Sequence, residues 1–452
     1  MDIQIKPGLL EGDIEAVSSK SHAHRLAIAA FLADAPVEIT WNQVSNDIQA
    51  TLHCLTALGA RFSHDDRGVS FQAAEGAEGA GGAAAAGAAG GAGAATLPCA
   101  ESGTTLRLLL PVAAARAAEA TFYGSGRLGE RPLEPLLQAL AEHGCQIERL
   151  AGAAAPEGGP TEKKPVALCE DIGEPIVRIS GGLKSGVFEL PGDVSSQFVS
   201  GLLLALPLLD GPSEIHVTSE LVSRAYVDMT LDVLADFDVT VSCPDEQTFV
   251  VPGGQAYKSP GRIQTEGDWS NAAFWLAANA LGSEIDCRGL LDSSVQGDRE
   301  IEQLLEQYSA TMGRSQACVQ ANKPVLIEAA QVPDLVPILA VVAGAKDKLT
   351  VFSEVSRLQG KESDRVAAVI ANLVALGVEA YVRDDQLFVR GTGQLTGGLV
   401  DGFGDHRIVM AMAIAATVCT APLIIRGAEA TRKSYPGFLA DFKKLGGNFN
   451  VL

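Results

Sequence analysis

The feature that most constrains this chain is a unit that recurs along it. Six times an apolar spacing of helical period closes on a glycine-like stop and runs straight into a short strand-like segment. The stops are Gly59 in TLHCLTALGARF, Gly144 in LLQALAEHGCQI, Asp238 in LDVLADFDVTV, Ser309 in IEQLLEQYSAT, Gly377 in IANLVALGVEAYV and Gly446 in LADFKKLGGNF. A helix often ends on a left-handed residue, a conformation that glycine adopts freely and aspartate tolerates. Ser309 fits it less well. In VTVSCPDEQTFVV and VEAYVRDDQLFVR the continuation is two apolar runs around an acidic turn, the pattern of a hairpin. The last four stops are about 70 residues apart. The first two intervals are longer because each holds an insertion, the Ala/Gly tract from Ala73 to Ala95 and a stretch from about Ala151 to Pro165. Both insertions lack apolar periodicity and read as mobile surface loops. Six copies of a mixed helix and strand unit predict an α/β protein. At 452 residues, more than one core serves, they predict two domains of three units each.

A second set of six signals lies earlier in each unit, where small or hydroxyl residues open an apolar helical run. These are SSKSHAHR from Ser18, ESGTTLR from Glu101, DVSSQF from Asp193, GDWSNAAF from Gly267, VPDLVPIL from Val332 and GDHRIVMA from Gly404. A helix start carries unpaired N–H groups and a partial positive charge, which makes it a natural anion site. Each start taken alone is better read as an ordinary N-cap. Their repetition in parallel units suggests that pseudo-symmetry gathers them around one small ligand.

Cations cluster at or near these starts: Lys20 and Arg25, Arg107, Arg127 and Arg131 in GSGRLGERP, Lys361 and Arg365 in GKESDR, Arg407, and Lys433 in ATRKSYP. Guanidinium forks suit carboxylate and phosphate oxygens, whereas lysine acts as a mobile point charge or a proton carrier. The net charge of −21 and pI near 4.7 argue against nucleic acid or an anionic membrane as partner. A local basic cluster in an acidic protein therefore implies a small multi-anionic ligand. Two carboxylates stand among the cations. Asp334 in VPDLVP is either an N-cap after Pro333 or a base kept ionised by its neighbours. Glu362 in GKESDR is either a first-turn acid favoured by the helix dipole or a functional acid.

Several chemistries lack their sequence signals. There is no GxxxxGK[ST] loop, no strand–GxGxxG–helix unit, no HExxH and no His/Asp/Glu cluster at metal spacing, so neither a cofactor nor a metal is called for. The cysteines Cys54, Cys99, Cys145, Cys169, Cys243, Cys287, Cys318 and Cys419 form no CxxC pair and read as small core residues of a reducing compartment. The N-terminal MDIQIKPGLLEGDIEA has acids where a signal peptide needs basic residues and an apolar core, so a cytoplasmic protein is expected. The uncharged run from Ile408 to Ile425 is long enough to raise the question of a membrane span. Its alanines, Thr417, Thr420 and Pro422 favour a buried helix ending near Cys419 and then a strand.

In order, SKSxxxR (Ser19 to Arg25), SGTTLR (Ser102 to Arg107), the loop ending ERP at Arg131, DVSSQ (Asp193 to Gln197), SRAYVDMTL (from Ser223), EGD (Glu266 to Asp268), Pro333-Asp334, KESDR (Lys361 to Arg365), DHR (Asp405 to Arg407) and RKSYP (from Arg432) resemble the 5-enolpyruvylshikimate-3-phosphate synthases. The resemblance covers almost the whole chain outside the two insertions. It implies a two-domain inside-out α/β barrel, each domain built of three pseudo-symmetric βαβαββ units. One domain, 20–265, would bind mainly shikimate 3-phosphate. The other, 1–19 plus 266–452, would carry the catalytic carboxylates and part of the phosphoenolpyruvate site. The implied reaction moves the enolpyruvyl group of phosphoenolpyruvate to the 5-hydroxyl of shikimate 3-phosphate and releases phosphate. By similarity, Lys20, Ser21, Arg25, Ser195, Ser196, Gln197, Ser223, Tyr226, Asp334 and Lys361 would contact shikimate 3-phosphate. Lys20, Gly103, Arg127, Gln197, Arg365, Arg407 and Lys433 would surround phosphoenolpyruvate. Asp334 would be the base, Glu362 the acid, and Lys20 a third catalytic group. These small molecules would be the only partners of a monomer. Glu101 stands where the family often has Asn, Leu108 where many members have Pro, and SEVSRLQG leaves an expected substrate-contacting Asn near Arg357 without a counterpart. Two rivals are the sister transfer to UDP-N-acetylglucosamine, whose loop carries a cysteine where this chain has Gly126, and a non-catalytic paralogue. The presence of both Asp334 and Glu362 speaks against the paralogue.

Overall fold

The structure, a computed structural model, describes residues 1–65, 67–73, 94–150, 172–309 and 323–452. Most of the Ala/Gly tract, the second insertion, the continuation after Ser309, Cys169 and Cys318 lie outside the described residues. The fold is mixed α/β. The chain divides into two compact units, one of Met1–Ser19, Gln43–Ser45 and Glu266–Leu452, the other of Lys20–Asn42 and Asn46–Thr265.

In the Lys20–Thr265 unit, one sheet pairs Ala95–Pro98 with Glu119–Gly124 in parallel, then Glu174–Gly181 and Cys145–Arg149 in antiparallel order. A parallel pair cannot be joined by a tight turn, and the helix Gly103–Arg116 supplies the crossover. The same order, a parallel pair followed by an antiparallel hairpin, recurs in Arg262–Gln264, Val37–Thr40, Gly68–Phe71 and Phe62–Asp65. It recurs again in Val187–Leu190, Ser213–Val217 and Thr248–Val251, with Ser242 bridging Val250 at the edge.

The other unit repeats the arrangement. Val325–Glu328 runs parallel to Leu349–Ser353, which pairs with the hairpin of Gln386–Arg390 and Glu379–Arg383. Gly398–Asp401 runs parallel to Leu423–Arg426, and there the two antiparallel strands come from opposite ends of the chain, Ile3–Lys6 and Asn448–Val451. Glu284–Arg288 runs parallel to Glu11–Glu15. Between these sheets lie helices apolar on every side. Val336–Ala345, sequence VPILAVVAGA, buries all but its last residue, and His406–Thr417 is buried throughout. Such helices belong in a core. The uncharged run is accordingly this second helix followed by the strand Leu423–Arg426, and no described helix is long and apolar enough to cross a membrane.

The stops have the conformation that selects their residues. Gly59, Gly144, Gly377 and Gly446 have φ between +83° and +98°, and Asp238 has +57°. Ser309 is the last residue of the helix Ile301–Ser309. The six starts are helix starts. Four carry the expected side-chain cap: Ser102 accepts from the N–H of Thr105, Ser195 from Gln197, Asp268 from Asn271 and Asp405 from Arg407. Cys54, Cys99, Cys145 and Cys419 are buried thiols, but Cys243 is exposed in the Ser242 loop and Cys287 is half-buried, so the reading of every cysteine as core is corrected at those two.

Candidate active site

Arg365 opens the helix Arg365–Ala375 and is 1% exposed. Asp364 caps that helix, so the guanidinium three atoms beyond Cβ is free to turn back toward the residues before it. Nη1 donates to Asp334 at 2.6 Å, Nη2 to Glu362 at 2.6 Å, and Nε to Asp405 at 2.8 Å. Three carboxylates around one buried cation would repel one another; more positive charge is needed, and it is close by. Arg407 Nη2 lies 3.1 Å from the second oxygen of Asp334, and Lys361 Nζ lies 3.8 Å from the first.

The structure does not bear out the N-cap reading of Asp334. Leu335, not Asp334, occupies the N-cap position of the helix Val336–Ala345, and it makes no side-chain cap bond. Burial alone would raise the Asp334 pKa, but Arg407, then Lys361 and Arg365, outweigh it and hold the carboxyl well below the ordinary range. Burial in turn pulls Lys361 down to about 8, with Asp334 opposing. Glu362 lies before the helix rather than in its first turn, and its carboxylate is bound by Arg365.

Arg407 also donates through Nη1 to the backbone oxygen of Asp334 at 3.3 Å and through Nη2 to Ser270 Oγ at 2.9 Å. Lys433 donates to the backbone oxygen of Gly404 at 2.8 Å, in the turn that leads into Asp405. Asp405 links the two arginines: Oδ2 accepts from Arg365 and from Ser363 Oγ, while Oδ1 caps the helix that carries Arg407. Burial would raise Asp405, and Arg365 more than reverses this.

In the Lys20–Thr265 unit, Lys20 begins the helix Lys20–Leu32 and pairs with Asp47 at 2.9 Å, each side chain 14% exposed. Arg25, one turn on, is buried within the fold. It donates to Thr230 Oγ1 at 2.7 Å, to the backbone oxygens of Ser21 and Tyr226 at 2.8 Å each, and to Ser200 Oγ at 3.3 Å. Burial lowers its pKa to about 10, still charged at neutral pH. Its bonds tie the helix of Ser21 to the first turn of Ala225–Asp236, where Tyr226 sits; Ser223, just before that helix, is buried with φ +54°.

Ser196 is the buried first residue of the helix Ser196–Ala205, capped by Ser195. Gln197 donates to Thr104 Oγ1 at 2.9 Å and accepts from Arg107 at 3.1 Å. This joins the DVSSQ start to the SGTTLR start. Gly103 follows the cap Ser102, and a Cβ there would overlap the guanidinium of Arg131. Gly126 has φ +58°, and a Cβ there would lie 3.0 Å from the carboxyl carbon of Glu101. The acid at position 101 thus packs against the loop bearing Arg127, which is half-exposed and pairs with Glu130 at 3.1 Å. Arg357, near the missing Asn, donates to the backbone oxygen of Ala330 at 3.2 Å.

Within the Glu266–Leu452 part the structure gathers Asp334, Glu362, Arg365 and Arg407 through hydrogen bonds, with Lys361 in an ion pair at 3.8 Å. Within the other unit it joins Arg25 to Ser21 and Tyr226, and Gln197 to the start that holds Gly103. Sequence reasoning missed Ser270, Asp298 and Asp47 as partners of these groups. Only Asp405 had a visible signal, its place in DHR. Among the described residues no group of three or more His, Cys, Asp or Glu side chains is arranged to hold a metal ion.

Buried arginines around carboxylates in a mixed α/β fold make a constellation suited to small anionic ligands. The family model described as EPSP synthase (3-phosphoshikimate 1-carboxyvinyltransferase) matches residues 5–442. The 3-phosphoshikimate 1-carboxyvinyltransferase of Clostridium kluyveri is 38% identical over 99% of this chain and 98% of its own length, and that of Clostridium acetobutylicum is 35% identical over 99% and 97%. The EPSP synthase structure of Acinetobacter baumannii superposes with a TM-score of 0.74 over the whole of both chains at 22% identity. The enolpyruvyl transferase NikO of Streptomyces tendae superposes with 0.72 over 99% of this chain and 98% of its own at 18% identity. The chain belongs to the EPSP synthase family.

Proposed function

We infer that this chain transfers the enolpyruvyl group of phosphoenolpyruvate to the 5-hydroxyl of shikimate 3-phosphate and releases phosphate, a step toward chorismate and the aromatic amino acids. The observation that carries the reading is Asp334, a carboxylate kept ionised by Arg407, Lys361 and Arg365 in a chain of this family. An ionised carboxylate can accept the proton of the 5-hydroxyl as that oxygen attacks C2 of phosphoenolpyruvate. Glu362 in its protonated form delivers that proton to the methylene carbon C3, so that the attack yields a methyl group and leaves Glu362 as the carboxylate that Arg365 binds. The resulting tetrahedral intermediate still holds both phosphates and the carboxylate. Phosphate then leaves C2, taking the proton that Asp334 holds, while the carboxylate of Glu362 takes a proton back from the methyl group, which gives the enol ether and restores both residues.

The same cations that hold Asp334 low make it a weak base before substrate arrives. Anionic substrate at Arg365 and Arg407 would offset their charge and raise the basicity of Asp334 when it is needed. Fixed guanidinium groups stabilise the anionic intermediate without solvent reorganisation.

The finer assignments belong to the same proposal. Lys20, Ser21, Arg25, Ser195, Ser196, Gln197, Ser223, Tyr226, Asp334 and Lys361 serve shikimate 3-phosphate, with Arg25 ordering Ser21 and Tyr226. Lys20, Gly103, Arg127, Gln197, Arg365, Arg407 and Lys433 serve phosphoenolpyruvate. Residues 20–265 form the mainly shikimate 3-phosphate domain, and 1–19 with 266–452 the domain of the acid and base. Both are inside-out α/β barrels of three βαβαββ units, a reading supported by the recurrent sheet order. The protein acts as a cytoplasmic monomer. The test is phosphate release by purified protein with phosphoenolpyruvate and either shikimate 3-phosphate or UDP-N-acetylglucosamine as acceptor. Turnover is expected with the first alone; turnover only with the second would move the chain to the sister reaction.

A further inference from the structure

Asp298 has no part in the steps above, yet it sits behind them. It lies in the short turn Gly297–Glu300 and is 3% exposed. Its Oδ2 accepts the hydroxyl of Ser270, while its Oδ1 is buried with no hydrogen-bond partner among the described residues. A half-satisfied buried carboxylate is poor for stability, since an apolar side chain of similar size costs less to bury. Something other than stability accounts better for a charge here.

The surrounding bonds supply the reason. Ser270 has one hydroxyl proton, and Asp298 takes it, so the serine oxygen presents a lone pair to Nη2 of Arg407 at 2.9 Å. The same nitrogen is 3.1 Å from Asp334. A thread of four side chains therefore runs Asp298, Ser270, Arg407, Asp334. The turn that delivers Asp298 is braced as well: Gln296 donates to the backbone oxygen of Gly267 at 2.8 Å and accepts the N–H of Trp269 at 3.2 Å, which fixes it against the start of the helix bearing Ser270. Burial and the nearby Asp334 push Asp298 up to about 6, while Arg407 and Ser270 pull it back, so it stays mostly ionised at neutral pH.

We propose that Asp298 is a positioning residue for Arg407, acting through Ser270: it orients the serine hydroxyl and thereby holds the guanidinium in the plane that receives phosphoenolpyruvate. This rests on the assignment of Arg407 to that substrate. Without the carboxylate the hydroxyl can turn its proton toward Arg407, and the arginine loses an acceptor.

The test is steady-state kinetics of the full chain as wild type, Asp298→Asn, Ser270→Ala and the double variant, with thermal melts as a check on folding. Asp298→Asn keeps the shape but loses the charge, and its amide, a weaker acceptor that can equally turn its NH2 to Ser270, no longer fixes the hydroxyl; it remains readable if Asp298→Ala does not fold. Expected is a KM for phosphoenolpyruvate raised roughly tenfold or more in each single variant, the scale of one charge-assisted hydrogen bond, with the KM for shikimate 3-phosphate within about twofold of wild type. In the double variant the two effects should not multiply, because both break one thread. An unchanged KM for phosphoenolpyruvate in Asp298→Asn, equal losses for both substrates, or multiplying effects would each overturn the inference. Wild-type protein that releases no phosphate would overturn the reaction assigned above and this inference with it, whereas normal wild-type turnover isolates a failure of the inference alone.

Discussion

Arg365 and Asp405 meet with essentially no solvent contact, Nε to Oδ2 at 2.8 Å, while the other oxygen of the same carboxylate caps the helix of Arg407. One aspartate thus fixes two arginines, one by its side chain and one by its backbone. Asp405→Asn can keep only one of these roles, because its amide NH2 would face either the Arg365 guanidinium or the Arg407 N–H. Breaking a buried charge pair costs about 3–5 kcal/mol. Thermal melts should show a fall of several degrees, and the KM for phosphoenolpyruvate should rise; an unchanged melt would mean that the pair contributes nothing net.

Asp334→Asn should bind both substrates nearly as well as wild type and turn over far more slowly. Calorimetric titration beside single-turnover rates separates the two effects, and unchanged turnover would remove Asp334 from the base role. The variant also has an acid-stability signature. A carboxylate whose folded pKa is depressed stabilises the fold above its unfolded value of 3.8, and that contribution is lost as pH falls toward the folded value. Urea midpoints should therefore fall less steeply below about pH 4 in Asp334→Asn than in wild type.

Lys361 predicts a limb on the basic side. With its pKa drawn down to about 8 in the free enzyme, kcat/KM for shikimate 3-phosphate should decline as pH rises through that value. Lys361→Met should be uniformly poor and lack the limb. Stability moves the other way: burying the charged amine disfavours the fold below pH 8, and this penalty fades as pH rises from there toward the unfolded value of 10.5. A profile in which both decline together above pH 8 would assign the limb to another group.

Gly103→Ala places a methyl group where the Arg131 guanidinium rests. Arg131 is 8% exposed and has little room to yield. The KM for phosphoenolpyruvate should rise several-fold, with a smaller change for shikimate 3-phosphate; equal binding of the donor would show that Arg131 relaxes freely.

What could be read from the sequence is what single residues decide locally. Gly59, Gly144, Asp238, Gly377 and Gly446 each answer a backbone requirement for positive φ. Ser102, Ser195, Asp268 and Asp405 each satisfy an N–H two or three residues on. The site is harder to read because its bonds are long-range. Asp334 has the local pattern of a cap, but its partners are Arg365 and Arg407, the first 31 residues away and the second 73. Nothing in SSVQGDRE marks Asp298, whose partner Ser270 lies 28 residues earlier. The side chain of Arg25 reads as a ligand cation at a helix start; its acceptors, 175 to 205 residues further on at Ser200, Tyr226 and Thr230, cannot be foreseen.

The strand Ile3–Lys6 is sandwiched between Leu423–Arg426 and Asn448–Val451. Ile3 pairs with Ile425 and with Val451, each more than 400 residues along the chain, whereas Arg262–Gln264 of the other unit pairs with Val37–Thr40 across a little over half that separation. Pairing across so long a separation is slow, and the waiting strand is an exposed edge in the meantime. The unit that holds Asp334 and Arg365 is therefore the slower of the two to assemble, because its sheet waits on the longest-range pairing in the fold.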